Sequence, residues 1–305
     1  MPAKGKPLRS IERKQTEQRN PASRNLDRRG TMDILRLMSR EDRKVAVAVE
    51  REIPAIARAV DAIVPKIANG GRLIYVGAGT SGRLAVLDAA ECPPTFGVSR
   101  NTVQALIAGG SKALTRAVEG AEDTAKSAVA DLKRVELSGK DVVVGVAASG
   151  STPYVLAAIA FAKRRKALTI GVASNRNCPL GDAVDIAITS EVGPEVIAGS
   201  TRLKAGTAEK LVLNMLSTAV MVRLGHVYDN LMIDMALSNR KLKERSVRML
   251  AEASGKNVSA VQHALRHSGH NLRVALVMLK LGVTQQAAKQ KLREAKGNLR
   301  LALGE

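Results

Sequence analysis

Two stretches of this 305-residue chain repeat one pattern, and that pattern constrains the fold more than any other feature. In RLIYVGAGTSGRLAVLDAA (72–90) an apolar run of strand length meets a turn of small residues and opens into a helical stretch. DVVVGVAASGSTPYVLAAIAFAKRR (141–165) does the same. Strands that are apolar without alternation need cover on both faces, and a parallel sheet between helical layers provides it. ALTIGVASN (167–175) and AVDIAITSEV (183–192) add two more short β-branched runs, and GTAEKLVLNMLSTAVMVRLG (206–225) reads as a long amphipathic helix. The expected architecture is α/β, a doubly wound parallel sheet followed by a small C-terminal helical domain.

Three regions follow from composition. Residues 1–44 read as a basic N-terminal arm, partly extended, with Pro21 and Gly30 as punctuation. Residues 45–239 form the α/β domain, entered through Val45, Val49, Ile53, Ile56 and Ile63 at roughly helical spacing. Residues 240–305 lose the β-branched runs and read as a helical domain. That last part carries a weak repeat: Asn271-Leu272-Arg273-Val274-Ala275-Leu276 recurs 27 residues later as Asn298-Leu299-Arg300-Leu301-Ala302-Leu303. Gly269 and Gly297 precede the two asparagines, so each copy reads as a helix end, a Gly/Asn turn and a new helix.

The net charge of +20 lies at the chain ends: 13 Lys/Arg against 6 Asp/Glu in residues 1–44, and 14 against 4 in residues 240–305. Such clusters suit phosphate backbones. With no Trp, three Tyr and two Phe, however, the chain lacks stacking platforms for bases. We read the basic ends as a solvated surface with a general attraction for anions, not as a nucleic-acid interface. No apolar run reaches the ~18 residues of a membrane span. The first 20 residues are basic but lack the apolar centre of a secretory signal. Cys92 and Cys178 are too few for a disulfide framework, so a reducing, cytoplasmic setting is expected. His263 and His267 stand at i, i+4 with His270 nearby, but no carboxylate ligand accompanies them, and no metal site is expected.

The small-residue turns carry the chemistry. Gly77-Ala78-Gly79-Thr80-Ser81-Gly82 places glycines, hydroxyls and a helix start where backbone N–H groups can meet an anion. It lacks the Gly-Lys-Ser/Thr of a Walker loop. It matches G-x-G-x-x-G, but no acidic residue ends a strand about 20 residues on, as a dinucleotide site requires. Ala148-Ser149-Gly150-Ser151-Thr152-Pro153 is a second such loop. In a parallel sheet both fall on the carboxyl edge, where ligands bind at a topological switch point. Gly79, Thr80, Ser81, Ser149, Gly150, Ser151 and Thr152 are therefore candidate phosphate-binding residues. The competing view, that Ser149 and Thr152 merely cap a helix, stays open.

GRLIYVGAGTSGRLAVLDAAECPPTFG, AVEGAED, DVVVGVAASGSTPYV, EVGPEVIAGSTRLKAGTAEKLVLNMLST and VYDNLMIDM together resemble the N-acetylmuramic acid 6-phosphate etherases. These are sugar-isomerase-type (SIS) domains related to the glucokinase regulatory protein. The resemblance runs from about Thr16 to Asp234 and implies a UBA-like helical domain after it. Ser151 stands where that family usually has arginine, a change for which Arg83 or the basic ends offer compensation. The resemblance implies elimination of D-lactate from C3 of the opened sugar, then hydration, giving N-acetylglucosamine 6-phosphate without any cofactor. The family's two acids fall on Glu91, which would protonate lactate and later activate water, and on Glu122, the base at C2. Lys204, in TRLKAGT, would grip anionic substrate groups, and a homodimer is expected. On residues alone, Glu91 could be a solvent-facing helix-end carboxylate, and Glu119, Glu122 and Asp123 a solvated acidic face. A sugar-phosphate-sensing regulator or an aldose–ketose isomerase would share the fold and loops.

Overall fold

The computed structural model describes residues 15–237 and 240–305; the first 14 residues of the basic arm and the expected boundary at residue 239 lie outside them. Five strands, β1 (Leu73–Gly77), β2 (Val103–Ile107), β3 (Val142–Val146), β4 (Leu168–Ala173) and β5 (Ile186–Thr189), form one parallel sheet in the order β2-β1-β3-β4-β5. Every residue of β1 and β3 is buried, as continuous apolar runs require. Their register pairs Leu73 with Val142 and Gly77 with Val146, so the two strands end level.

Helices α1 (Thr31–Glu50), α2 (Ile53–Ala68), α3 (Gly79–Phe96), α4 (Ala125–Arg134), α5 (Pro153–Arg164), α6 (Pro179–Ala183) and α7 (Lys204–Arg223) accompany the strands. One core beside the sheet joins Ile74, Val76 and Val143 to Leu132, Tyr154 and Ile159. The Tyr154 hydroxyl, buried with them, donates to Asp131 at 2.7 Å.

The arm departs from expectation. It is not extended up to residue 44: three short helical turns, 15–17, 21–23 and 26–28, lead into α1 at Thr31. Leu37, Glu41, Val45, Ala48 and Val49 form the buried stripe of α1. That stripe is narrow and includes a carboxylate, which hid the helix among arginines.

The chain divides into two compact units: residues up to Ala90 with Asn101–Thr218, and Glu91–Arg100 with Ala219–Glu305. The second unit is thus larger than the 240–305 domain read from composition. It contains α8 (Arg240–Ser254), α9 (Val258–His267), α10 (Leu272–Leu281), α11 (Gln285–Glu294) and α12 (Leu299–Leu303). Its core centres on Leu250, Val261, Ala275, Leu276, Val277 and Ala288. The repeat has a physical basis in capping. Asn271 and Asn298 are N-caps whose side-chain oxygens accept from the Val274 and Leu301 N–H groups, at 3.0 and 3.1 Å.

Candidate active site

The two loops meet where strand order reverses, at the carboxyl ends of β1 and β3. After β1, Gly79 takes φ +53° and opens α3. A Cβ on Gly82 would lie 2.6 Å from Ile107 Cγ1 and 2.9 Å from the Gly77 carbonyl, so glycine is what lets the helix close on the strands. The N–H groups of Gly79, Thr80 and Ser81 are those that the first turn of a helix leaves without intrahelical acceptors. After β3, Gly150 takes φ +65°, and a Cβ there would lie 2.3 Å from Cys178 Sγ. The Ser149 and Ser151 hydroxyls are 3.1 Å apart, and the Ser151 N–H donates to Ser149 Oγ at 3.2 Å. Thr152 is the N-cap of α5, yet its hydroxyl makes no capping hydrogen bond. Capping therefore does not account for the Thr152 hydroxyl, and all seven candidate phosphate-binding residues lie on this edge.

Behind the loops lies a buried polar framework that sequence reasoning missed. Glu41 accepts from Lys204 Nζ at 2.7 Å and from Asn20 Nδ2 at 2.9 Å. Burial alone would raise the Glu41 pKa, but hydrogen bonds from Lys204, Lys44 and Asn20 outweigh it and hold it at about 2. The side chain of Lys204 is 1 % exposed. Lys204 was expected to grip substrate anions; here its ammonium is sealed against Glu41, because a buried cation requires a counter-charge. Glu195 caps the start of α7, accepting from the N–H groups of Lys204 and Ala205 at 3.0 Å each. Burial raises its pKa despite those bonds. The TEQRN segment is not a solvated arm either: Thr16 and Asn20 are buried, and Asn175 Nδ2 donates to Thr16 Oγ1 at 3.3 Å.

Four buried side-chain oxygens among the described residues have no hydrogen-bond partner: Ser174 Oγ, Asn175 Oδ1, Ser190 Oγ and Glu209 Oε2. Ser174 and Asn175 follow β4 and Ser190 follows β5, at the same edge of the sheet. Glu209, on α7, accepts from Ser81 Oγ at 2.8 Å. Its signal was visible as an acid set among Ala205, Ala208, Val212 and Leu213, which all proved buried.

Both predicted acids are exposed. Glu91 lies near the end of α3 and is the first residue of its stretch in the second unit; Glu122 lies in the short helix Ala121–Asp123 of the first. Arg83 donates to the carbonyls of Leu114 and Arg116, at 3.3 and 3.2 Å, and so fastens the segment leading to Glu122. That engagement ties the guanidinium to the loop. His263 and His267 stack with centroids 3.9 Å apart. Among the described residues no group of three or more His, Cys, Asp or Glu is arranged to hold a metal ion. No helix among them is long and apolar enough to cross a membrane.

This sheet, with its paired hydroxyl loops, is a sugar-isomerase (SIS) domain: residues 133–219 match that domain, and residues 55–163 match the glucokinase regulatory protein N-terminal SIS domain. A solved phosphoheptose isomerase from Francisella tularensis shares the fold, with a TM-score of 0.50 and 18% identity over 63% of this chain and 98% of that one. Identity with whole proteins is far higher. The chain is 50% identical to an N-acetylmuramic acid 6-phosphate etherase of Serratia proteamaculans, over 94% of this chain and 97% of that one. It is 47% identical to one of Geobacillus sp., over 96% and 99%. The chain belongs to the N-acetylmuramic acid 6-phosphate etherase family.

Proposed function

We propose that the chain is a carbon–oxygen lyase that removes the C3 D-lactyl ether of N-acetylmuramic acid 6-phosphate, in amino-sugar recycling. The observation that carries this reading is identity near 50% along almost the whole length of relatives bearing that name. The phosphate would sit on the N–H groups and hydroxyls of Gly79, Thr80, Ser81, Ser149, Gly150, Ser151 and Thr152. In the opened sugar the C1 aldehyde acidifies C2–H. Glu122 takes that proton, the C3–O bond breaks with its electron pair going to oxygen, and Glu91 protonates the departing lactate. Glu91, now ionised, draws a proton from water as the water adds to C3, and Glu122 returns its proton to C2. The products are N-acetylglucosamine 6-phosphate and D-lactate.

The working form we propose is a cytoplasmic homodimer. The exposed Met32 and Leu35 on α1, Ile53 on α2 and Met215 on α7 support an apolar interface. Both cysteines are buried thiols outside any disulfide, in keeping with a reducing compartment.

D-lactate release tests the reading. Glu91→Gln should lower it on the order of a hundred- to ten-thousand-fold with the fold intact. Turnover within threefold of the parent would remove Glu91 from the role. Deuterium exchange at C2 of the product separates the acids: Glu91→Gln should retain it and Glu122→Gln should lose it.

A further inference from the structure

Glu209 has no part in the chemistry just described, yet its carboxylate touches a phosphate loop. It is 1 % exposed, one oxygen meets Ser81 Oγ at 2.8 Å, and the other meets no polar partner. The helix carrying it packs tightly on the loop: a Cβ on Gly206, one turn earlier, would come within 3.3 Å of Thr80 Cγ2. We propose that Glu209 is a positioning residue that works as a neutral carboxylic acid, donating its proton to Ser81 Oγ so that the Ser81 hydrogen is presented to the sugar phosphate. The inference deepens the phosphate assignment above and rests on it.

The two protonation states of Glu209 present different loops to the ligand. An ionised carboxylate can only accept, so it would claim the Ser81 hydrogen, leaving Ser81 nothing to donate. It would also set a second anion behind a dianionic phosphate, with one hydrogen bond for two charged oxygens. A neutral acid reverses the 2.8 Å contact: Glu209 Oε1–H donates to Ser81 Oγ, and Ser81 donates onward. The lone Oε2 is then an uncharged carbonyl oxygen, which burial penalises far less than a carboxylate oxygen.

The surroundings favour the neutral form. The charged groups on neighbouring elements include Glu41 on α1, Glu195 before α7, Lys204 and Lys210 on α7, and Asp88 on α3. Glu41, Glu195 and Lys204 are engaged with one another. Asp88 accepts from Tyr75 and Ser217, and burial lifts its pKa to about 6 against those bonds and the charge of Lys210. None of these contacts reaches Glu209. Burial, opposed only by the Ser81 hydrogen bond, lifts the Glu209 pKa from 4.5 to about 8.

Anion binding should therefore track this proton. A phosphate monoester loses its second proton near pH 6, so above pH 7 the ligand no longer titrates. The probe is N-acetylglucosamine 6-phosphate, with N-acetylglucosamine as control, titrated calorimetrically into the full chain from pH 7 to 9.5. For the parent, Kd should rise with pH above about 8, approaching tenfold per pH unit, the limit for one linked proton. Glu209→Gln, whose amide N–H is a permanent donor, should bind like the parent at pH 7 and show no such rise. Ser81→Ala should bind more weakly at pH 7 and also be flat. A Glu209→Gln variant that keeps the parent's slope, or binds more than tenfold more weakly at pH 7, overturns the proposal. If that variant does not fold, Ser81→Ala decides: a flat profile supports the proposal and the parent's slope overturns it. Equal affinity of the parent for the phosphorylated and unphosphorylated sugars would instead remove the phosphate assignment itself, and this proposal with it.

Discussion

The two compact units bury polar groups on different terms. The α/β unit encloses Glu41, Asp141, Glu195, Lys204 and Glu209, whereas the only buried polar side chains described in the helical unit are Ser246 and Ser268. The most basic stretch of the chain, residues 240–305, keeps most of its charge in solvent, where it costs little, with Arg273 on Asp234 and Lys280 on Glu305 as partly buried pairs. The α/β unit keeps charge inside, where each group must be matched or neutralised. Apart from Asp141, held by Arg72 at 2.8 Å, these charges attach to α7. The difference teaches that stability in the helical unit comes from apolar contact and capping. The α/β unit gives up some of that economy to fix its loops.

The largest test of the contrast is Lys204→Met, which leaves Glu41 buried without its cation. It should cost about 3–5 kcal/mol in denaturant unfolding. A Glu41→Gln change in the same chain should recover part of that. In the helical unit, Leu276→Ala should cost about 2–5 kcal/mol by opening a cavity. Its effect should appear as faster amide exchange in α9–α11, with the strands unchanged.

Acidity separates the units next. Glu41 has a folded pKa of about 2 against 4.5 unfolded, so its contribution is present above pH 4.5 and fades as the pH falls toward 2. Glu209 is shifted the other way, to about 8: the native chain holds a proton that the unfolded chain has released. Stability of the α/β unit should fall as pH rises from 4.5 through about 8 and then level off. Burial lifts Asp88 to about 6 as well, so amide exchange from pH 5 to 9 should show this slope in α7 and β1, and Glu209→Gln should remove its upper part, above about pH 6. In the helical unit the resolved shifts lower Asp234 and Glu305 and raise Lys280, all outside that window, so no slope is expected there. The smallest effect is Asn271→Ala, about 0.5–2 kcal/mol of capping, seen as fraying at the start of α10.

Much of this was legible because its signals are local. The strands β1, β3, β4 and β5 and both loops follow from short apolar runs that meet small residues. Strand β2 escaped because it lies at the sheet edge, and its Gln104 and Ala105 are only half-buried, which blurs the pattern. The first half of helix α1 escaped because one of the helix's five buried positions is Glu41, while its second half was read from Val45 and Val49. The roles of Lys204 and Glu209 depend on partners 163 and 128 residues away, and no spacing rule encodes such pairings. The capping asparagines announced themselves as a repeat, because a cap is written within four residues.

The clasp of the N-terminal segment onto the far side of the sequence has a consequence for synthesis. The Gly199 N–H donates to the Thr16 carbonyl, and Lys204 reaches back to Glu41. Thr16 and Glu41 therefore leave the ribosome well before the partners that fix them. At about 5–20 residues per second, the 163 residues between Glu41 and Lys204 take about 8–33 s. Throughout that interval Glu41 waits without its lysine, and a carboxylate destined for burial must stay in solvent until α7 emerges, a wait that the neighbouring Arg40 and Arg43 on α1 suit.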